Sequence, residues 1–364
     1  PGSSVKLTLD EDLQYTAQRA LTDAVRQTHA QGGQAVVLDA RTGEVLAMTS
    51  AAVVDPRQPA MPDPRQLGNP AVQSVFEPGS ANKVVTFAGA LDRGLITPDT
   101  RLSVPGSIAV SDRVVHDAWV HGLTKWTATG VLAHSSNVGT LMIARKLGPG
   151  AFYDYLTKFG IGSRSGVQLP GESGGLLPKP ETWSGSTFGN LPIGQGVSMT
   201  ALQLASMYQA IGNDGVRMPP RIIAGVTNPD GTVSTPAAPQ PTKVVSPAAA
   251  RTVRAMLETV TETGGTGTTA AIDGYRVAGK TGTAQKPDPT CGCYSDRYWA
   301  TFAGLVPANA PRFAIAIMVD DAKGGLHGGA VAAPLFHTIA TYALTQDGVP
   351  PTGPASPIAP LTWN

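Results

Sequence analysis

Ala35-Val36-Val37-Leu38, Asp39-Ala40-Arg41-Thr42-Gly43 and Glu44-Val45-Leu46-Ala47-Met48 follow one another as an apolar run, a polar turn containing a glycine, and a second apolar run. That order predicts a β-hairpin. Upstream, Asp10 is placed to cap a helix that carries Leu13, Ala17, Leu21, Ala24 and Val25 on one face and ends at Gly32-Gly33. Three more strand-like runs lie at the far end of the chain, Tyr275 to Thr283, Tyr298 to Val306 and Arg312 to Asp320, followed by a helix from about Val331 to Leu344. The long middle is read as mostly helical. A buried helix is expected from near Ser80 to Gly94, with further helices at Trp126 to Leu147, Gly150 to Phe159, Thr200 to Ile211 and Pro247 to Thr263. Asp55 to Pro70 is expected to be a Pro-rich loop, and Gly348 to Pro360 an extended tail.

Strands at both ends with helices between predict a mixed α and β fold. One antiparallel sheet, flanked by helices, would be assembled from both ends of the chain around a mostly helical insertion. We expect one domain over residues 1–364, with a sheet subdomain at about 5–50 and 245–345, an insertion at about 51–244 and a tail at 346–364. A cleft between sheet and insertion is where a site is expected.

Composition narrows the function. The 364 residues carry 27 Lys+Arg against 26 Asp+Glu, and this balance argues against nucleic acid as a partner. Two cysteines, Cys291 and Cys293, are too few for a zinc site, and six scattered histidines have no ligand spacing, so no metal or other cofactor is expected. No apolar run reaches the ~18 residues of a membrane helix. Pro1-Gly2-Ser3-Ser4 reads as a cloning remnant, and the chain as an excised fragment, so the lack of such a run here says little about an anchor in the native protein.

Three motifs carry the chemistry: Ser80-Ala81-Asn82-Lys83, Ser135-Ser136-Asn137 and Lys280-Thr281-Gly282-Thr283. Ser3-Ser4-Val5-Lys6 also fits the first pattern, but in a terminus expected to fray. Pro78-Gly79 before the Ser80 motif and an amphipathic helix after it set the first motif apart. There the i,i+3 spacing puts the amine on the same face as the hydroxyl. A serine becomes a nucleophile when a base takes its proton, and a lysine serves once burial or a neighbouring cation, here Lys280, lowers its pKa. The alternative for Ser80 and Lys83 is a helix cap and a solvated lysine. Ser135 and Asn137, two apart, suit a helix entrance. The Lys280 strand offers a cation and two hydroxyls to a carboxylate, with Gly282 allowing close approach.

Together these motifs resemble the active-site-serine family of penicillin-binding proteins and serine β-lactamases. Phe76 to Ser80, Ser135 to Gly139, Gly194 to Thr200, Gly279 to Lys286 and Gly328 to Phe336 extend the resemblance to class B penicillin-binding proteins, over roughly Val5 to Leu344. Within them the chain is most similar to the transpeptidase domain of septal, FtsI-type enzymes. The resemblance implies peptidoglycan D,D-transpeptidation at the extracytoplasmic face of the cytoplasmic membrane. Ser80 would attack the D-Ala-D-Ala carbonyl of a stem peptide, Lys83 act as base and Ser135 pass the proton to the leaving amine. Asn137 would orient Lys83, while Lys280, Thr281, Gly282 and Thr283 hold the terminal carboxylate. The backbone N–H groups of Ser80 and Thr283 would form the oxyanion hole. It also implies covalent inhibition by β-lactam antibiotics and, in the native protein, a glycan polymerase and division proteins as partners.

A D,D-carboxypeptidase shares these motifs, and a β-lactam sensor domain is a non-enzymatic alternative. A β-lactamase would need a deacylating glutamate. Glu172 lies 37 positions after Ser135, but in a Leu169-Pro170-Gly171-Glu172-Ser173-Gly174-Gly175 context that resembles the penicillin-binding-protein loop. Lys286-Pro287-Asp288-Pro289 reads as turn, so the cysteines are expected in a mobile loop bordering the cleft, either as free thiols or as a disulfide.

Overall fold

The computed structural model describes residues 2–51, 68–235, 237, 240–288, 290–353 and 360–364. The Pro-rich stretch expected at Asp55 to Pro70 lies mostly outside the described residues.

Five antiparallel strands form the main sheet, in the order Ala278–Asp288, Cys293–Val306, Phe313–Asp320, Gly32–Asp39, Val45–Ser50. The ends of the chain meet where Phe313 pairs with Asp39 and Asp320 with Gly32. Strand Gly32–Asp39 is apolar without alternation because both its faces are covered. Val36 and Leu38 enter a core with the helices of the insertion, whereas Ala35 and Val37 pack against Leu13, Leu21 and Phe336 on the other side. Helices Glu11–Gln27 and Gly328–Gln346 cover that second side. Asp10 caps the former by accepting the Leu13 N–H at 2.8 Å. Helix Ala201–Gly212, buried at every residue, fills the first side, and helix Lys83–Asp92 packs into the same core.

Several expectations need correction. The helical pattern from Trp126 to Leu147 is three elements: strand Thr124–Thr127, helix Ala128–Ala133 and helix Asn137–Leu147. Hydroxyl caps cut the pattern, Thr127 accepting the Gly130 N–H at 3.0 Å and Ser136 the Gly139 N–H at 2.9 Å. The helix expected at Pro247 to Thr263 stops at Glu258. Ser4–Leu7 is not frayed but pairs with Ile223–Thr227, so Ser3 and Lys6 have no helical neighbourhood. The insertion also carries two small ribbons, Arg101–Val104 with Thr124–Thr127 and Ser107–Val110 with Arg113–His116.

Lys286, Pro287 and Asp288 belong to a strand rather than a turn. The sequence reading weighed the prolines as breakers, but this strand lies at the sheet edge and its register shifts between Gln285 and Pro287, which is where an edge tolerates proline. The cysteines therefore sit at the tip of a long hairpin, joined by a disulfide bond.

Candidate active site

Ser80 lies in a 3-10 turn, Gly79–Asn82, and the α-helix proper begins at Lys83. In a 3-10 turn side chains three apart eclipse, which sets Lys83 on the Ser80 side of the turn, and the Lys83 N–H closes the turn on the Ser80 carbonyl. The helix that follows is buried all round from Lys83 to Ala90, so Lys83 is no solvated lysine. Gly79 takes a positive φ of 55°, and a Cβ there would meet the Thr283 backbone at 3.0 Å. The Ser80 turn is thus pressed against the Lys280 strand.

The second motif reaches Lys83 from the break between the two helices. Ser135 takes φ +58°, a conformation side chains rarely adopt, and this turns its carbonyl inward. The Lys83 amine donates to that carbonyl at 2.5 Å, to the Ser135 hydroxyl at 3.2 Å and to Asn137 Oδ1 at 2.8 Å. Asn137 is itself oriented, its amide N–H₂ donating to the His116 carbonyl at 2.9 Å. Burial lowers the Lys83 pKa to about 7, against the opposing pull of Asp117.

Lys280 points into the protein from the sheet edge, donating to the Thr281 carbonyl at 3.1 Å and its hydroxyl at 3.3 Å. Burial first, and then the charge of Lys83, hold its pKa well below that of a free lysine. Both lysines are 0% exposed, whereas Ser80, Ser135, Asn137, Thr281, Gly282 and Thr283 line a cleft of about 720 Å³. The hydroxyls face the space and the two buried amines lie under its floor. Gly282 is constrained, since a Cβ would collide with Thr301 Oγ1 and the Pro78 carbonyl.

Every site residue expected from the sequence, Ser80, Lys83, Ser135, Asn137, Lys280, Thr281, Gly282 and Thr283, is therefore in this cleft or directly beneath it. Asp117 was missed. It accepts the Ser136 hydroxyl at 2.7 Å, the Val138 N–H at 3.0 Å and the His121 ring at 2.9 Å, fixing the segment that bears Ser135. Nothing local marks it for that role, because Ser136 and Val138, which it fixes, are 19 and 21 residues away. Thr266, bonded to the Thr281 hydroxyl at 2.7 Å, was missed for the same reason. Glu172 is elsewhere. Its carboxylate accepts the Ser165 N–H at 2.6 Å, the Ser165 hydroxyl and the Gly166 N–H at 3.4 Å, and it does not line the cleft. Among the described residues no group of three or more His, Cys, Asp and Glu could hold a metal ion.

A hydroxyl above a buried lysine, facing a hydroxyl-bearing sheet edge across a cleft, defines an active-site-serine protein. The penicillin-binding-protein transpeptidase domain matches residues 33–341, and the chain belongs to that family. It is 52% identical over 371 residues to the penicillin-binding protein PbpB of Mycolicibacterium smegmatis, a match covering 99% of this chain and 57% of that protein. The peptidoglycan D,D-transpeptidase FtsI of Escherichia coli is 36% identical over 351 residues, covering 96% of this chain and 57% of FtsI. A crystal structure of penicillin-binding protein 3 from Mycobacterium tuberculosis, complexed with ampicillin, superposes with a TM-score of 0.94 at 50% identity, covering 100% of this chain and 82% of that one. The chain thus spans little more than half the length of its curated relatives. No described helix is long and apolar enough to cross a membrane.

Proposed function

We propose that residues 1–364 are the transpeptidase domain of a septal-type peptidoglycan D,D-transpeptidase, a serine acyltransferase inhibited covalently by β-lactams. The observation that carries this reading is the hydrogen bonding of Lys83. Two of its three partners, the Ser135 carbonyl and Asn137 Oδ1, can only accept. In the neutral amine they engage both N–H bonds and leave the lone pair for a hydroxyl. A pKa of about 7 keeps that neutral form well populated at neutral pH.

Lys83 then takes the proton of Ser80 as the serine oxygen attacks the D-Ala-D-Ala carbonyl of a stem peptide. The developing oxyanion is held by the Ser80 and Thr283 N–H groups. Collapse of the tetrahedral adduct breaks the C–N bond, and Ser135 relays the proton from the Lys83 ammonium to the departing D-Ala amine. An amine of a neighbouring stem attacks the resulting ester and regenerates Ser80. The Thr281 and Thr283 hydroxyls receive the substrate's terminal carboxylate beside Gly282, and Lys280, donating to the Thr281 carbonyl and hydroxyl, orients the first of them. A β-lactam presents a carboxylate and a strained amide in the same relation, and its leaving nitrogen stays tethered.

The reading is supported by the names of the relatives, the peptidoglycan D,D-transpeptidases PenA and FtsI, and by the ampicillin complex. It places the site at the extracytoplasmic face of the cytoplasmic membrane, with a glycan polymerase and division proteins as partners of the whole protein. Turnover of a D-Ala-D-Ala thioester with an added D-amino acid tests it. Amine-dependent product that vanishes in Ser80→Ala is expected. A single acylation without turnover would indicate a sensor, and hydrolysis indifferent to the amine a carboxypeptidase.

A further inference from the structure

The Ser80 turn belongs to the insertion and the Thr283 strand to the sheet, and a buried carboxylate joins them. Glu77, three residues before Ser80, is 7% exposed. It accepts the Gly196 N–H at 2.9 Å and the Tyr294 hydroxyl at 3.2 Å to each of its oxygens. Both donors are neutral, and among the described residues no counter-ion of the kind that ordinarily compensates such burial is paired with the carboxylate. Desolvation accordingly raises its pKa, with the two hydrogen bonds opposing.

Holding the turn to the insertion does not require this carboxylate. Phe76 and Met199 already exchange both backbone hydrogen bonds at 3.0 Å, and the Gly79 N–H donates to the Gly194 carbonyl at 3.1 Å. The sheet also reaches the turn directly, the Thr301 hydroxyl donating to the Pro78 carbonyl at 3.2 Å, and Glu77 adds a second link, to Tyr294. That tyrosine lies in the outer part of the hairpin whose first strand carries Lys280 to Thr283, pairs there with Pro287, and directly follows the Cys291–Cys293 disulfide that closes the tip. The outer part of the hairpin is thereby tied to the segment that leads into the Ser80 turn.

We propose that Glu77, held by Tyr294, is a positioning residue for acyl transfer, fixing the Ser80 turn against the Thr283 strand so that the two N–H groups of the oxyanion hole keep their spacing. Glu77 touches no reacting atom. It acts on the transition state because the oxyanion hole is shared between the two segments it joins, while the hydroxyls that receive the substrate carboxylate all lie on one strand. The clamp rests on Ser80 being the acylated residue.

Acylation by benzylpenicillin, resolved by rapid kinetics into a binding constant and a first-order acylation constant, tests it alongside thermal unfolding. Glu77→Ala and Tyr294→Phe should each lower the acylation constant, by roughly tenfold and several-fold, with binding changed less than about twofold. Glu77→Gln keeps an acceptor for both donors and should recover most of the rate. The double variant Glu77→Ala/Tyr294→Phe should be no slower than Glu77→Ala, because both remove one link. Wild-type acylation in Glu77→Ala, a loss confined to binding, or additive effects in the double variant would overturn the clamp. If Glu77→Ala does not fold, Tyr294→Phe decides, and an unchanged acylation constant there is refuting. Absence of any Ser80 adduct in the wild-type protein would instead defeat the acyl-enzyme reading itself.

Discussion

Moving the pH across the Lys83 pKa should change the acylation rate by an amount the structure sets. Lys83 is fully buried, its amine held by the Ser135 carbonyl, the Ser135 hydroxyl and Asn137, and burial brings its pKa to about 7. Only the neutral amine accepts the Ser80 proton. The sign follows: the rate is low in acid, where the amine is protonated, and rises through the pKa to a plateau. With half-titration near 7, about a tenth of the molecules are competent at pH 6 and about nine-tenths at pH 8, so the rate should rise about tenfold between them and little beyond. An unperturbed lysine would give a rise of about a hundredfold over the same interval and no plateau below pH 10. The assay is the second-order acylation constant for a chromogenic cephalosporin at constant ionic strength, with the fold monitored at each pH. A flat profile from pH 5.5 to 9, or a rise that continues unbroken past pH 9, would refute Lys83 as the base with a burial-lowered pKa.

Three further outcomes follow from the same geometry. Lys83→Arg, whose guanidinium stays protonated, and Lys83→Met, which keeps the volume without a base, should both acylate about 10²–10⁴-fold more slowly; near wild-type acylation in a folded variant would make Lys83 structural. Thiol titration of the unfolded, unreduced protein should find neither Cys291 nor Cys293 reactive, whereas two reactive thiols would remove the disulfide from the hairpin tip. Glu172→Ala should leave the persistence of a penicillin adduct unchanged, because Glu172 is occupied by Ser165 and Gly166, and faster or slower loss of the adduct would show that it reaches the ester.

The sheet was legible because its strands are buried on both faces and therefore read as unbroken apolar runs, as Val36 to Leu38 and Phe313 to Val319 do. The motif residues were legible because each motif is local in sequence and carries polar groups where the surrounding pattern is apolar. What escaped depends on contacts that a local pattern cannot register. The helix break at His134 to Ser136 is enforced by Asp117, which reaches Ser136 and Val138 from another element. The edge position that lets Pro287 remain in a strand is a property of the sheet's order, not of the residues around the proline. The burial of Lys83 likewise belongs to the tertiary fold. The sequence offered a lysine three residues after a serine, and only the packing of helix Lys83–Asp92 explains why its amine is poised near neutrality.

The most direct test of the central claim is the mass of the protein after exposure to benzylpenicillin, followed by peptide mapping. Ser80 lines the cleft, and among the described residues no glutamate lines it: Glu172 is held by Ser165, and Glu77 by Gly196 and Tyr294. Hydrolysis of the penicilloyl ester without a general base forgoes about 10²–10⁴-fold in rate. One covalent increment is therefore expected, located on Ser80, lost in Ser80→Ala, retained in Ser3→Ala, and outlasting acylation by orders of magnitude. An increment on another residue, or one that decays within seconds with catalytic hydrolysis of the drug, would contradict the account.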